Sequence, residues 1–198
     1  MRRLLLASAL ALLAAPAAAS PFDELLAAGG GKACFRQTYD EAYRGDRPGQ
    51  VTSEVLLSFS AEEVHGREGV VMRLMLKRPD GAWYVWGGCG WAEQDVNRGA
   101  GGRLLQPEYP LEHGISCHAS AGGDEEGGDF PIELIDADTL AVYPGEGLAA
   151  RDALGPGIVS TYATFERPDL MLPVKRTDPE ACRELVEGLG TPIGYPPE

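Results

Sequence analysis

A chain of 198 residues with 17 lysines and arginines against 30 aspartates and glutamates carries a formal net charge of −13. Such a surface repels phosphate backbones and anionic lipid, which excludes nucleic-acid binding as a leading function; cationic partners are attracted at long range. The length suits one domain with a sizeable core.

The opening MRRLLLASALALLAAPAAAS predicts a secretory signal peptide over residues 1–19. Arg2 and Arg3 head an apolar run from Leu4 to Ala15, and Ala17-Ala18-Ala19 supplies the small residues of a cleavage point. The run falls short of the roughly 20 apolar residues that cross a bilayer, so no membrane span is expected after cleavage. A periplasmic or secreted location follows. No cysteine stands at the cleavage point, which argues against a lipid anchor. Cleavage removes two arginines and no acid, so residues 20–198 hold 15 basic residues against 30 acidic ones and are read as a single mainly-β domain.

In chain order, a short helix is predicted from Phe22 to Ala28. From residue 50 apolar residues alternate with period two. Val51, Ser53, Val55, Leu57 and Phe59 share one strand face. Val70, Met72, Leu74 and Leu76 repeat the pattern with Arg73 and Lys77 outward. Trp83-Tyr84-Val85-Trp86 forms a third strand, stopped by Gly87-Gly88. Phe130, Ile132 and Leu134 form another, with Leu140 and Val142 as its hairpin partner. Ile158 to Phe165 and Leu170 to Lys175 complete the set, divided by a turn at Glu166 to Asp169.

About seven to eight short strands with glycine, proline and aspartate punctuation predict an antiparallel sandwich or small barrel. A short C-terminal helix follows: Thr177-Asp178-Pro179-Glu180 reads as a capping box, Cys182, Leu185 and Leu189 lie on one face, and Gly190 ends it. A transmembrane barrel would need strands of about 9–11 residues with aromatic girdles, whereas these strands read as shorter and aromatics are few.

The four cysteines of an exported chain read as two disulfides, for which three pairings exist. Cys89–Cys117 and Cys34–Cys182 are expected, the first joining two glycine-flanked strand ends and the second tying the N-terminal region to the C-terminal helix. His113 and His118 bracket Cys117, which raises zinc as an alternative; the chain has no CxxC pair, and an oxidising compartment favours bridges.

"CHASAGGDEEGGDF", residues 117–130, is the richest stretch in metal-binding side chains. Asp124, Glu125, Glu126 and Asp129 could supply calcium with oxygen ligands on a glycine-bent loop, but their spacing does not match an EF-hand. A solvated acidic hairpin tip is the plainer reading. The third histidine, His65, shares no ligand spacing with the other two. Ser116 beside His118 is only a sequence neighbour, and no nucleophile elbow occurs. "RGAGGR", residues 98–103, reads as a flexible turn. Trp83, Trp86 and Trp91 offer a ligand-stacking face, set against the commoner packing of tryptophan around a disulfide such as that at Cys89.

The stretch CFRQTYDEAYRGDRPGQVTSEVLLSF, Cys34 to Phe59, resembles the opening of small exported bacterial proteins that share a Cys-aromatic-x-x-x-Tyr-Asp-x-Ala run followed by Pro-x-Gln-x-Val. Cys117 to Phe130 is similar to a later cysteine and acidic, glycine-rich element of that group. Histidines often stand there at the places of Tyr43 and Arg47, so a role for those histidines does not transfer. The group has no established activity. The resemblance implies an exported, disulfide-bonded β domain.

With no catalytic constellation in the sequence, the leading expectation is an exported, disulfide-stabilised binding or interaction module for an unknown protein or small-molecule ligand. No cofactor is expected, calcium apart. The alternatives are a calcium-dependent binder using loop 124–129 and a carboxylate-based hydrolase.

Overall fold

The computed structural model describes residues 18–64, 66–94, 111, 113–120, 126–145, 147–154, 161–165 and 169–189. His65, Asp124, Glu125, the 98–103 turn, Ile158 and Gly190 lie outside them. Helix α1 (Pro21–Ala27) precedes β1 (Lys32–Thr38), and a short helix α2 (Glu41–Gly45) leads to β2 (Glu54–Val64), β3 (Arg67–Arg78) and β4 (Gly81–Ala92). Then come β5 (Gly114–Ser120), β6 (Glu126–Asp136), β7 (Thr139–Val142), β8 (Gly147–Ala150), β9 (Thr161–Thr164) and β10 (Leu172–Thr177). A 3-10 turn (Pro179–Cys182) runs into helix α3 (Arg183–Leu189).

Among the described residues, eight strands close an antiparallel barrel in the order β1-β10-β7-β6-β5-β4-β3-β2. Strands β8 and β9 form a separate two-stranded sheet inserted before β10. The expected choice between sandwich and barrel is settled as a barrel.

Period-two alternation decides what fills it. Phe35, Leu57, Phe59, Met72, Leu74 and Ile132 all point inward and are fully buried. An eight-stranded barrel has room for side chains or for one small ligand; here apolar side chains occupy it. Helix α1 stoppers one end, its Phe22 ring meeting Phe59 edge-on at 5.1 Å. At the opposite end Tyr39 is buried and donates to the Pro173 carbonyl at 2.7 Å, while buried Asp169 accepts from the Val51 and Thr52 amides. Lys32, Arg36, Glu54, Lys77, Glu133 and Lys175 alternate with these inward residues along the barrel wall. At these positions the wall is polar outside and apolar inside, the reverse of a lipid-facing barrel. No helix among the described residues is long and apolar enough to cross a membrane.

Several expectations require correction. Strands β2, β3, β4 and β6 run 11 or 12 residues, so they are not short. Gly87-Gly88 does not stop β4, which continues to Ala92. A side chain on Gly87 would overlap the His118 carbonyl of β5, so glycine there permits the close approach of the two strands rather than ending one. The two last strands belong to different sheets: β9 pairs with β8, and β10 pairs with β7 and β1. Val51 and Ser53 precede β2 instead of joining it. The helix cap is Asp178, whose carboxylate accepts from the Glu180 amide at 2.8 Å, in place of Thr177.

Candidate binding groove

All four cysteines are bonded as Cys34–Cys182 and Cys89–Cys117. The two bridges have different surroundings. Cys89 and Cys117 are direct partners across the β4–β5 ladder, on its inward side. Cys34 faces outward from β1 and bolts the start of the C-terminal helical segment to the barrel wall.

A concavity lies beside that bolt. A groove of about 490 Å³ runs between the outer face of β1–β2 and the helical segment, and its lining includes Cys34, Ser58, Ser60, Glu62, Cys182 and Val186. Its size lies within the range of small-molecule and cofactor pockets, about 300–1,000 Å³. Alternation along β2 places Ser58, Ser60 and Glu62 on this outward face. Behind them sits Arg73, opposite Ser58 on β3. Its guanidinium donates to Ser60 Oγ at 2.8 Å, to Glu62 Oε1 at 2.8 Å and to Glu62 Oε2 at 3.2 Å; the Ser60 hydroxyl also donates to Glu62. The two-toothed contact is the strong Arg–carboxylate geometry. It makes the groove floor a rigid polar platform, with Lys32 and Glu187 among its remaining charged lining residues.

Arg73 was expected to face solvent. It does point away from the core, yet it is 2% exposed. The reason is a second apolar cluster outside the barrel: Trp86 packs with Leu185 and Leu189 of α3, joined by Leu56, Met75, Tyr84 and Leu154. Burial and the neighbouring Glu184 carboxylate raise the Tyr84 phenol above its ordinary 10.0. Neither Arg73 nor the groove stood out in the sequence. The available signal was Leu56, Met75 and Trp86, apolar at outward positions where β2–β4 otherwise alternate to polar. A face patterned that way must be covered by something.

The expected tryptophan face does not assemble. Trp86 points outward beneath α3, with the Arg151 guanidinium 5.3 Å from its ring. Trp83 and Trp91 point to the inner side but sit roughly 27 Å apart along β4, at about 3.4 Å per residue. Trp83 Nε1 donates to Asp80, and Trp91 Nε1 donates to Glu93 while its ring lies 6.0 Å from His113.

Of the proposed calcium ligands, Glu126 begins β6, and Asp129 pairs with His118 Nδ1 at 2.7 Å on the outer surface. Among the described residues, no three histidines, cysteines or acids gather as a metal-holding group. A second concavity among the described residues is a broad surface depression of about 850 Å³ at the β6–β7 turn, bordered by Asp136, Asp138, Asp178, Lys175 and Arg176. Asp136 accepts from the Asp138 amide and Asp178 caps the helix, so two of its three carboxylates perform local structural tasks.

Fold and groove together define a closed up-and-down antiparallel barrel with an external cleft under a disulfide-tethered helix. The chain matches no protein-family model, no curated protein and no solved structure.

Proposed function

We propose that this chain is an exported binding module that works from its outer wall, through the groove between β2 and the C-terminal helical segment. One observation carries the reading: the barrel interior is taken up by side chains such as Phe35, Phe59, Met72 and Leu74, so recognition falls to the exterior. Two disulfides fit an oxidising compartment, and the leader-like residues 1–19 supply the route. The likeness of Cys34–Phe59 to small exported bacterial proteins belongs to the same reading. With acids in excess, the favoured partner is cationic.

The test has two arms. Intact-mass measurement on chain recovered from the native compartment should show a mature species lacking residues 1–19 and four thiol hydrogens; full-length chain with four free thiols overturns export. A photo-crosslinking residue at Val186 should then capture a discrete partner in living cells, more weakly as salt rises, whereas the same probe at exposed Ile135 should not. Equal capture at both positions, or none at Val186, overturns the groove.

A further inference from the structure

Export by a cleaved leader fixes which residue begins the mature chain, and the surroundings of that residue are unusual. Ser20 is the cap of α1, immediately after the expected cleavage point. Its backbone nitrogen donates to Asp23 Oδ2 at 3.0 Å and its hydroxyl donates to the same oxygen at 2.8 Å. In return Ser20 Oγ accepts from the Asp23 amide at 3.1 Å. The third residue beyond the bond to be cut, Phe22, is already buried against Phe59 in the barrel mouth.

We infer that Ser20 becomes the amino terminus of the mature chain and that its new ammonium group ion-pairs with Asp23, so that removal of the leader fastens the α1 stopper to the barrel. This rests on the export reading. In the cleavage step a signal peptidase adds water across the Ala19–Ser20 peptide bond. The C–N bond breaks, the water oxygen goes to the Ala19 carboxylate, and the Ser20 nitrogen leaves as an amine that is protonated at neutral pH. An amide donor 3.0 Å from a carboxylate oxygen thereby becomes a cationic donor at the same distance, and hydrogen bonds with a charged donor are roughly twice as strong as neutral ones.

An opposing effect has to be weighed. A positive charge at a helix N-terminus is disfavoured by the helix dipole. In an unpaired terminus, acetylating the α-amine therefore stabilises the helix; in a terminus paired with Asp23, acetylation removes the ion pair and destabilises. The sign separates the two cases. The hydrogen bonds from Ser20 already hold the Asp23 carboxyl below its ordinary range, which shows the carboxylate poised to accept.

The experiment uses mature protein recovered after export, with its first residue established by mass. Selective α-acetylation at mildly acidic pH should lower the melting temperature by about 1–2 °C, given the usual sensitivity of a domain this size. The fall should vanish in Asp23→Asn and return in Asp23→Glu. Should Asp23→Asn not accumulate, the wild-type fall should still shrink in high salt. A mature chain that begins at Ser20 but melts unchanged or higher after acetylation overturns the clamp while leaving export standing. A mature chain that begins elsewhere overturns the clamp as well. Chain that keeps residues 1–19 in its native compartment overturns export, and the clamp with it.

Discussion

The Arg73 guanidinium grips both carboxylate oxygens of Glu62, at 2.8 and 3.2 Å, on the outer wall of the barrel, and only 2% of the arginine side chain reaches solvent against 21% for the glutamate. Removing one partner of such a pair costs more than removing both, because the survivor keeps its desolvation penalty. Arg73→Ala is therefore expected to lose about 2–4 kcal/mol, somewhat below a fully buried pair because Glu62 retains water on one side. The double variant Arg73→Met/Glu62→Leu should lose less than Arg73→Ala alone. Urea unfolding of the wild type and these two variants checks the order.

The two disulfides should differ in worth. Cys34–Cys182 spans 148 positions and Cys89–Cys117 spans 28. Loop entropy puts their contributions at roughly 5 and 3.5 kcal/mol. Paired alanine substitution of Cys34 and Cys182 should lower the urea midpoint further than the same change at Cys89 and Cys117. It should also free α3, raising proteolytic cutting within 179–189 while the barrel stays folded.

Gly87→Ala tests why β4 does not stop at its glycines. The added methyl meets the His118 carbonyl, a backbone atom that can move only by spreading β4 from β5. A loss of about 1–3 kcal/mol is expected, the usual range for overpacking. Gly88→Ala, where a methyl meets open space, should be nearly silent. Thermal melts of the pair give the answer.

Alkaline behaviour should follow Tyr39. Burial holds its phenol well above the ordinary 10.0, with the Tyr43 and Asp169 charges adding to the effect and Arg47 opposing it. Above that ordinary value the unfolded chain gives up a proton the folded chain keeps. Tyr39 thus contributes fully below pH 10.0, and its contribution is lost as pH climbs beyond it. Tyr39→Phe should flatten this alkaline decline and, by leaving the Pro173 carbonyl without its donor, lower stability at neutral pH by about 0.5–1.5 kcal/mol.

Inward-facing periodicity was the legible part of this protein. Val55-Leu57-Phe59, Met72-Leu74-Leu76 and Phe130-Ile132 announce a buried face because each strand carries its own alternation. The buried face of the C-terminal helical segment was equally readable from Cys182, Leu185 and Leu189. Closure of the barrel was not, because the pairing of β1 with β10 joins distant parts of the chain and no local pattern encodes it. Strand β8 went unseen because Gly147-Leu148-Ala149-Ala150 lacks the β-branched residues that mark strands, its pairing with β9 being decided by tertiary context. The groove escaped for a related reason: its floor is built from Ser60, Glu62 and Arg73, ordinary surface residues until α3 and its disulfide cover them.

The seam where the barrel closes is short, three residue pairs between β1 and β10 against eleven between β2 and β3, and Cys34–Cys182 ties β1 to the segment that follows β10. Tension applied to the two ends of the oxidised chain therefore runs through the covalent bond and bypasses everything between residues 34 and 182. A threading motor that engages either terminus can unravel α1 or α3, and then meets a closed ring of polypeptide that it must either pass as a double strand or abandon.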